Sequence, residues 1–582
     1  KTIYVWAAGN AGGYADQGVD YSSPELLSGM AHYIPEIQGH SIAVASVDEN
    51  GQISDFSSRC GVAQDYCISA PGGRVTAAYP TSTSDTGIYI GNTNDDNYNN
   101  CITDNSCYAV TSGTSFAAPF VSGGLAVIAD HFEGQLGSQE IVSRLFATAN
   151  KNGVYADKAI YGQGLMDLNA ATEPVGQVSA MMSLSLSGPM TPAIFSNIQL
   201  TSPSFGDAIS NGIGDHSIIF FDELDAPFRR SLGSLTSDYR NQIINMDGYE
   251  SMQTPISHTV TSGETELEIG GLQTHTFSQE LVTPYHLLNA RADKNEFFSY
   301  YNYSNNSFLS HGLNGSWAMG VFQDSELRSK KSLRSQFSNP WLNFSATGTT
   351  FGSTFQGLQG FDIAVALSSG RNKFEANEIF GERNSSTVAL LEIQPKSSML
   401  SFQLGMMKEN DASLGLSGSG AFNGSNNQLT SFAGLSNSMN LMGGKLFGSF
   451  YWGKSNGISN ELGMIKSLSN LYSSAFGVGF FKSSIFNNAD SFIVTIDQPI
   501  RIESGALQLN VPTYRTKEKN VLFHSMSLDL DPSGREVHTK AQYFSSYKNV
   551  GFGLTLGYKS DPYHIKFMDD YLYMSLGFNI GF

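Results

Sequence analysis

The chain has 582 residues, a net charge of −19, 15% charged and 12% aromatic residues, and 60 glycines. A chain this long exceeds what one hydrophobic core organises, so several domains are expected, and sparse charge with abundant aromatics excludes disorder, collagen and long coiled coils. The acidic balance would repel phosphates and excludes a general nucleic-acid partner, and no run of about 18 apolar residues is present to cross a bilayer as a helix.

The opening residues, Lys1 to Asn10, show neither an initiator Met nor a cleavable apolar leader, and they read as a buried strand running into a turn, as if the chain starts inside a domain. Continuous apolar segments at Ile3 to Ala8, Ile42 to Val47 and Tyr66 to Ala70 predict a sheet covered on both faces. One helix is expected to open at Ser115, with Val121, Leu125, Ile128 and Phe132 at helical spacing. Another should be capped by Ser138 and carry Ile141, Val142, Leu145 and Phe146. Residues 1–176 therefore read as α/β. All 4 cysteines lie in this part, as the local pairs Cys60 with Cys67 and Cys101 with Cys107. Such pairs suit disulfides in an oxidising compartment; zinc is the rival, although these spacings are unlike its usual ones.

Residues 177–295 turn rich in Ser, Gly, Asn and Thr and read as a connector with a candidate hairpin at Ile218 to Leu232. Residues 296–582 alternate apolar with small or polar positions. Leu572, Met574, Leu576, Phe578, Ile580 and Phe582 fall on one face, and Tyr571, Tyr573, Ser575, Gly577, Asn579 and Gly581 on the other. Phe476, Val478 and Phe480 likewise alternate with Gly477, Gly479 and Phe481. A soluble sandwich and a membrane barrel both produce this pattern, so periodicity alone leaves the two open.

The most specific local signal is Ser112-Gly113-Thr114-Ser115-Phe116-Ala117-Ala118-Pro119. A serine at a helix start benefits from the free amides and positive dipole end, which favour negative charge forming beside it, while small neighbours let a substrate approach. This octapeptide resembles the nucleophile motif of the subtilisin-like serine peptidases (the S8 family), which implies that Ser115 attacks a peptide carbonyl. Ala7-Ala8-Gly9-Asn10 is similar to that family's oxyanion strand and turn. The resemblance implies that Asn10 donates to the oxyanion and that Ala7, Ala8 and Gly9 line a substrate pocket. Ile42 to Val47, Asp55-Phe56-Ser57-Ser58-Arg59, Ile68 to Gly72 and Gly162 to Ala170 match further segments in order, so the likeness spans roughly residues 1–176.

A subtilisin-like triad runs aspartate, histidine, serine, with the first two upstream of the oxyanion asparagine. Asp85-Thr86-Gly87 and His311-Gly312 match those motifs only superficially, and neither His32 nor His40 sits in the right context, so the upstream Asp and His are not found in this chain. As given, the chain is expected to be inactive alone. No metal ligand spacing is present, and calcium, common in such folds, finds no support, so no cofactor is expected.

A subtilisin-like domain followed by a Gly- and aromatic-rich β region resembles a bacterial autotransporter. Asp497 to Leu507 and Asp531 to Glu536 are similar to stretches of barrels attached to such peptidases. The implied architecture is an α/β subtilisin-like domain, incomplete at its N-terminus, plus a C-terminal antiparallel transmembrane β-barrel of about 12 strands. The resemblance places a pore helix at Pro284 to Asp293, the barrel in a Gram-negative outer membrane and the peptidase at the surface or released. The implied partners are protein or peptide substrates, outer-membrane lipids and the barrel-insertion machinery. A catalytically dead passenger acting as adhesin or scaffold, or a barrel acting as a pore, are the alternatives.

Overall fold

The structure is a computed structural model and describes residues 2–80, 106–181, 190–192, 196–200, 202–237, 250–262, 265–282, 285–302, 307–311, 319–328, 330–345, 348–358, 360–371, 385–424, 428–460, 463–547 and 550–580.

Three parallel strands, β1 (Tyr4–Ala7), β2 (Ser41–Val47) and β3 (Cys67–Pro71), form the sheet of the first region in that spatial order. β2 lies between the other two and is buried at every residue, which is what a continuous apolar strand in a doubly covered sheet requires. The short helix α1 (Met30–Tyr33) and Cys60, Ala63 and Tyr66 cover one face over Ala43 and Ala45. A β-hairpin of β4 (Val75–Pro80) and β5 (Ser106–Thr111) leads into the long helix α2 (Thr114–His131). α2 covers the other face, setting Ala117, Val121, Leu125 and Ile128 on Ile42, Val44 and Ile68. Helix α3 (Ser138–Thr148) follows; its cap is Gly137 rather than the expected Ser138, because the Glu140 carboxylate accepts the Gly137 N–H at 2.8 Å. Cys60 and Cys67 form a disulfide. The other expected pair, Cys101 with Cys107, has Cys101 outside the described residues.

The described residues between 179 and 237 form strands and short helices rather than merely connecting. Pro227–Ser231, Ser217–Phe221, Ser179–Met181 and Met190–Pro192 make one small sheet, its hairpin at 217–231 standing where 218–232 was expected. Asn197–Leu200 pairs with Thr236–Ser237 and with the distant Leu416–Ser419. Ile198, Phe205, Ile213, Phe220 and Leu232 share one core with Leu416, Phe422, Ile465, Leu507 and Leu528, which come from segments standing off the C-terminal sheet. Small patches with too few apolar residues to make a core of their own are thus completed by residues far away in sequence, Leu416 to Leu528, which is why local composition reads as a connector. Pro284 to Asp293 is not a helix: Tyr285–Asn302 is a strand paired along its length with Thr265–Val282. That ladder uses backbone groups a helix would need internally.

The C-terminal sheet is antiparallel and runs through fifteen described strands, of which the last twelve begin at Ser307–His311 and end at Tyr571–Ile580. The twelve expected strands are present, but among the described residues they do not close into a barrel. The free edge of Ser307–His311 is occupied by Tyr285–Asn302, which takes the ladder positions a closing strand would use.

The two faces of this sheet invert the soluble rule. Phe402, Leu404 and Met406 are exposed, Leu404 at 55%, as are Phe351, Phe355, Leu572 and Met574, while Glu392, Gln394, Gln403 and Glu409 on the other face are buried. That inner face holds residues 319–345, a chain of short helical turns with Val321, Phe322, Leu333, Phe337, Trp341 and Phe344 buried. Trp341 stacks on Phe432 at 4.5 Å and Phe337 meets Phe447 at 4.9 Å. Gly453 and Gly477 face these rings so closely that a Cβ would lie 2.3 Å from Trp341 and 2.7 Å from Phe337. The small residues alternating along these strands therefore make room for an internal segment. Glu392 holds it by accepting hydrogen bonds from the Gly320 N–H (2.6 Å) and, together with Gln403, which donates to it, anchors a polar network reaching Asn339.

Candidate active site

Parallel strands place their C-terminal ends on one edge of a sheet, and loops there converge. β1 ends at Ala7, and the chain passes through Ala8 and Gly9 to Asn10, which opens a 3-10 turn over Ala11–Gln17. From the other side, Gly113 caps α2, its N–H bonding the Gly72 carbonyl just beyond β3 at 2.8 Å. Ser115 is the second residue of the helix and is exposed. Pro119, four residues on, has no N–H to give the Ser115 carbonyl, so the first turn is left open on that side.

Asn10 and Ser115 lie 105 positions apart in sequence and are joined through Thr114. The Thr114 N–H and hydroxyl both donate to Asn10 Oδ1, each at 3.0 Å, and the Gly9 N–H donates to Thr114 Oγ1 at 3.2 Å. A backbone N–H can only donate, so Oδ1 must face it, and the Asn10 Nδ2 amide is left on the other side as a donor. Thr114 is the functional residue that the reading by motif passed over; it was visible inside the octapeptide, but its role needs a partner that only the fold supplies.

Ala7 is half-buried, and Ala8 and Gly9 are buried. The Ala8 carbonyl accepts the Glu25 N–H at 2.8 Å and the Gly9 carbonyl accepts the Ser58 N–H at 2.8 Å, so these two hold the loop rather than offering free carbonyls. Gly9 sits at φ +111°, where the Glu25 side chain lies directly over its Cα. Beneath, Ser57 Oγ accepts the Ser46 N–H at 3.0 Å and Arg59 donates to the Ser54 and Ser57 carbonyls, which gives the matched 55–59 stretch its job of bracing the end of β2.

His40 precedes β2, its carbonyl accepting the Tyr4 N–H at 2.7 Å, and so lies at the opposite edge of the sheet from Asn10. His32 is exposed on α1, and His311 lies in a strand of the C-terminal sheet; Asp85 to Gly87 fall outside the described residues. The Gly162 to Ala170 segment closes the region onto β3, through bridges of Gly162 to Ile68 and Leu165 to Ser69.

Residues 1–164 match the Subtilase family, Peptidase_S8. The similarities to individual proteins that follow each cover 29% of the chain. The chain is 28% identical over 173 residues, 29% of its length, to 16% of the serotype-specific antigen 1 of Mannheimia haemolytica. It is 29% identical over 170 residues, again 29% of its length, to 15% of an extracellular serine protease of Serratia marcescens. A thermostable alkaline protease of Halalkalibacterium halodurans is 32% identical over 171 residues, covering 29% of this chain and 34% of that protein. The chain thus spans only a small part of the first two relatives.

Proposed function

We propose that this chain is part of a subtilase-type serine endopeptidase carried on its own outer-membrane barrel. Ser115 is the nucleophile and Asn10 the oxyanion donor. The observation that carries the reading is the Asn10–Thr114 tie, which sets a fixed amide donor beside an exposed serine at a helix N-terminus. The serine oxygen attacks the scissile carbonyl, the carbonyl oxygen becomes anionic, and Asn10 Nδ2 together with the amides of the first turn of α2 receives that charge. Among the described residues, neither His40, at the opposite edge of the sheet, nor His32, on the separate helix α1, is placed to act as the general base for Ser115.

For the C-terminal region, the inverted faces support a membrane environment. Phenylalanine, leucine and methionine turned outward with carboxylates and amides inside are what lipid outside and a polar lumen select. An oxidised Cys60–Cys67 pair suits an extracytoplasmic location.

In the complete protein, a fluorophosphonate probe should label Ser115, and Ser115→Ala should remove the label; persistent labelling would assign the nucleophile elsewhere. Asn10→Ala should lower kcat with little change in KM. In subtilisin, where the effect was measured, loss of that donor costs about 10²- to 10³-fold in turnover. A loss expressed as a raised KM would instead make Asn10 a substrate-binding group.

A further inference from the structure

The ends of α2 and α3 remote from Ser115 are gripped by two hairpins from elsewhere in the chain. From the 217–231 hairpin, Phe228 meets Phe132 edge to face at 5.4 Å. The Arg144 guanidinium sits 4.7 Å from the Phe132 ring and 5.3 Å from that of Phe228, and it pairs with buried Asp222 at 2.7 Å. The second hairpin, Ala506–Arg515 with Val521–Asp529, stands off the C-terminal sheet between its strands Asp490–Ser504 and Val537–Tyr547. Its Arg515 is fully buried and donates to the Gln135 carbonyl and to Glu140, while the Arg515 N–H donates to Gln135 Oε1 at 3.0 Å. Lys519 bridges Glu140 at 3.3 Å and Asp225 at 3.2 Å.

Charges therefore alternate through Arg515, Glu140, Lys519 and Asp225 across three separate parts of the chain, with the arginine desolvated at the centre. Arginine is one of the residue types enriched among interface hot spots, the few desolvated central residues whose truncation costs most. The grip has a direction as well. α2 has 18 residues, about 27 Å at 1.5 Å per residue, with Ser115 at its start and the Phe132 contact just past its end. Docking at that far end leaves the serine exposed.

We infer that the Ala506–Asp529 hairpin is a retention clamp: it holds the peptidase domain on the end of the C-terminal sheet without need of the covalent link, with the Ser115 end turned away. The partner of this surface is the chain's own barrel, so the domain stays attached when the polypeptide joining the two is cut. The inference rests on the reading of the C-terminal region as a barrel only for where the clamp acts; the contact itself can be tested in detergent.

The experiment uses the complete protein, tagged on its C-terminal part and immobilised, with a site-specific protease sequence inserted between the exposed residues Glu173 and Pro174. After cutting, the peptidase fragment should stay on the resin. With Arg515→Glu plus Lys519→Glu, at least ten times more of it should wash off, still resistant to trypsin and therefore folded. The exposed Lys519→Glu alone should release an intermediate share, and pairing Arg515→Glu with Glu140→Arg should restore retention. Release of the unsubstituted fragment as complete as that of the double variant overturns the clamp. Sedimentation of the uncut chain with outer-membrane vesicles tests the barrel reading separately, since the resin assay does not depend on it.

Discussion

The two sheets of this protein use the same apolar residues for opposite purposes. In the first region, β2 hides every side chain under helices and loops, and its apolar residues pack on other apolar side chains of the domain. In the C-terminal sheet, strand Ser401–Glu409 exposes Phe402, Leu404 and Met406 and buries Gln403 and Glu409. An apolar side chain leaves water in both cases, but the phase it enters differs: protein in the first, and on our proposal lipid in the second. The lesson is that hydrophobic periodicity reports which residues avoid water and not what they meet instead.

The comparison can be broken most severely from the inside of the C-terminal sheet. Trp341 is fully buried between Phe432 and Tyr451, so Trp341→Ala should cost about 3–5 kcal/mol, read from urea unfolding of the C-terminal region. A cost under about 1 kcal/mol would mean that the described residues of 319–345 are not packed against the inner face of the sheet.

A test of the outer face follows, with a somewhat smaller effect. Leu404→Arg should destabilise insertion into lipid vesicles by about 2–4 kcal/mol, as expected for a cation near the bilayer midplane. On a water-facing surface the same change stays within about 0.5 kcal/mol, so a neutral result would return this sheet to the soluble class that sequence left open.

The smallest expected effect sharpens the contact between the two regions. Burial raises the Glu140 carboxyl, but the Gly137 N–H, Arg515 and Lys519 outweigh it and hold the group below the ordinary glutamate range. A carboxylate with a lowered folded value adds stability above its unfolded pKa and loses it as pH falls through the folded one. The charged groups facing Glu140 are Arg515 and Lys519, with Asp225 beyond, and both cations keep their charge in acid. Retention of the cut N-terminal fragment should therefore hold from neutral pH down through the ordinary carboxylate range and weaken only below it. Loss of retention on raising the pH from 6 to 8 would point to a different group.

Much of the α/β region could be read directly. The apolar runs 3–8, 42–47 and 66–70 mark strands found at Tyr4–Ala7, Ser41–Val47 and Cys67–Pro71, because a strand buried on both faces needs no partner-specific pattern. The octapeptide around Ser115 marked a helix start within one residue. Where the reading failed, distant residues decided the outcome. The resemblance implied a helix over Pro284 to Asp293, but Tyr285–Asn302 runs as a strand in a ladder with Thr265–Val282. Residues 177–237 looked like a connector because their core partners lie near residues 416, 465 and 507.

The sequence by itself determined the strand and helix periods, the serine motif with its asparagine upstream, and the two alternating faces of the C-terminal strands, since each depends on neighbours a few positions apart. Tertiary structure alone decided which face of those strands is exposed, that Thr114 orients Asn10, that residues 319–345 fill the inner face, and that Arg515 reaches Glu140. These depend on desolvation and on donors meeting acceptors across 100 to 380 positions, and a charge or an amide carries no mark in the sequence of the partner that will neutralise it.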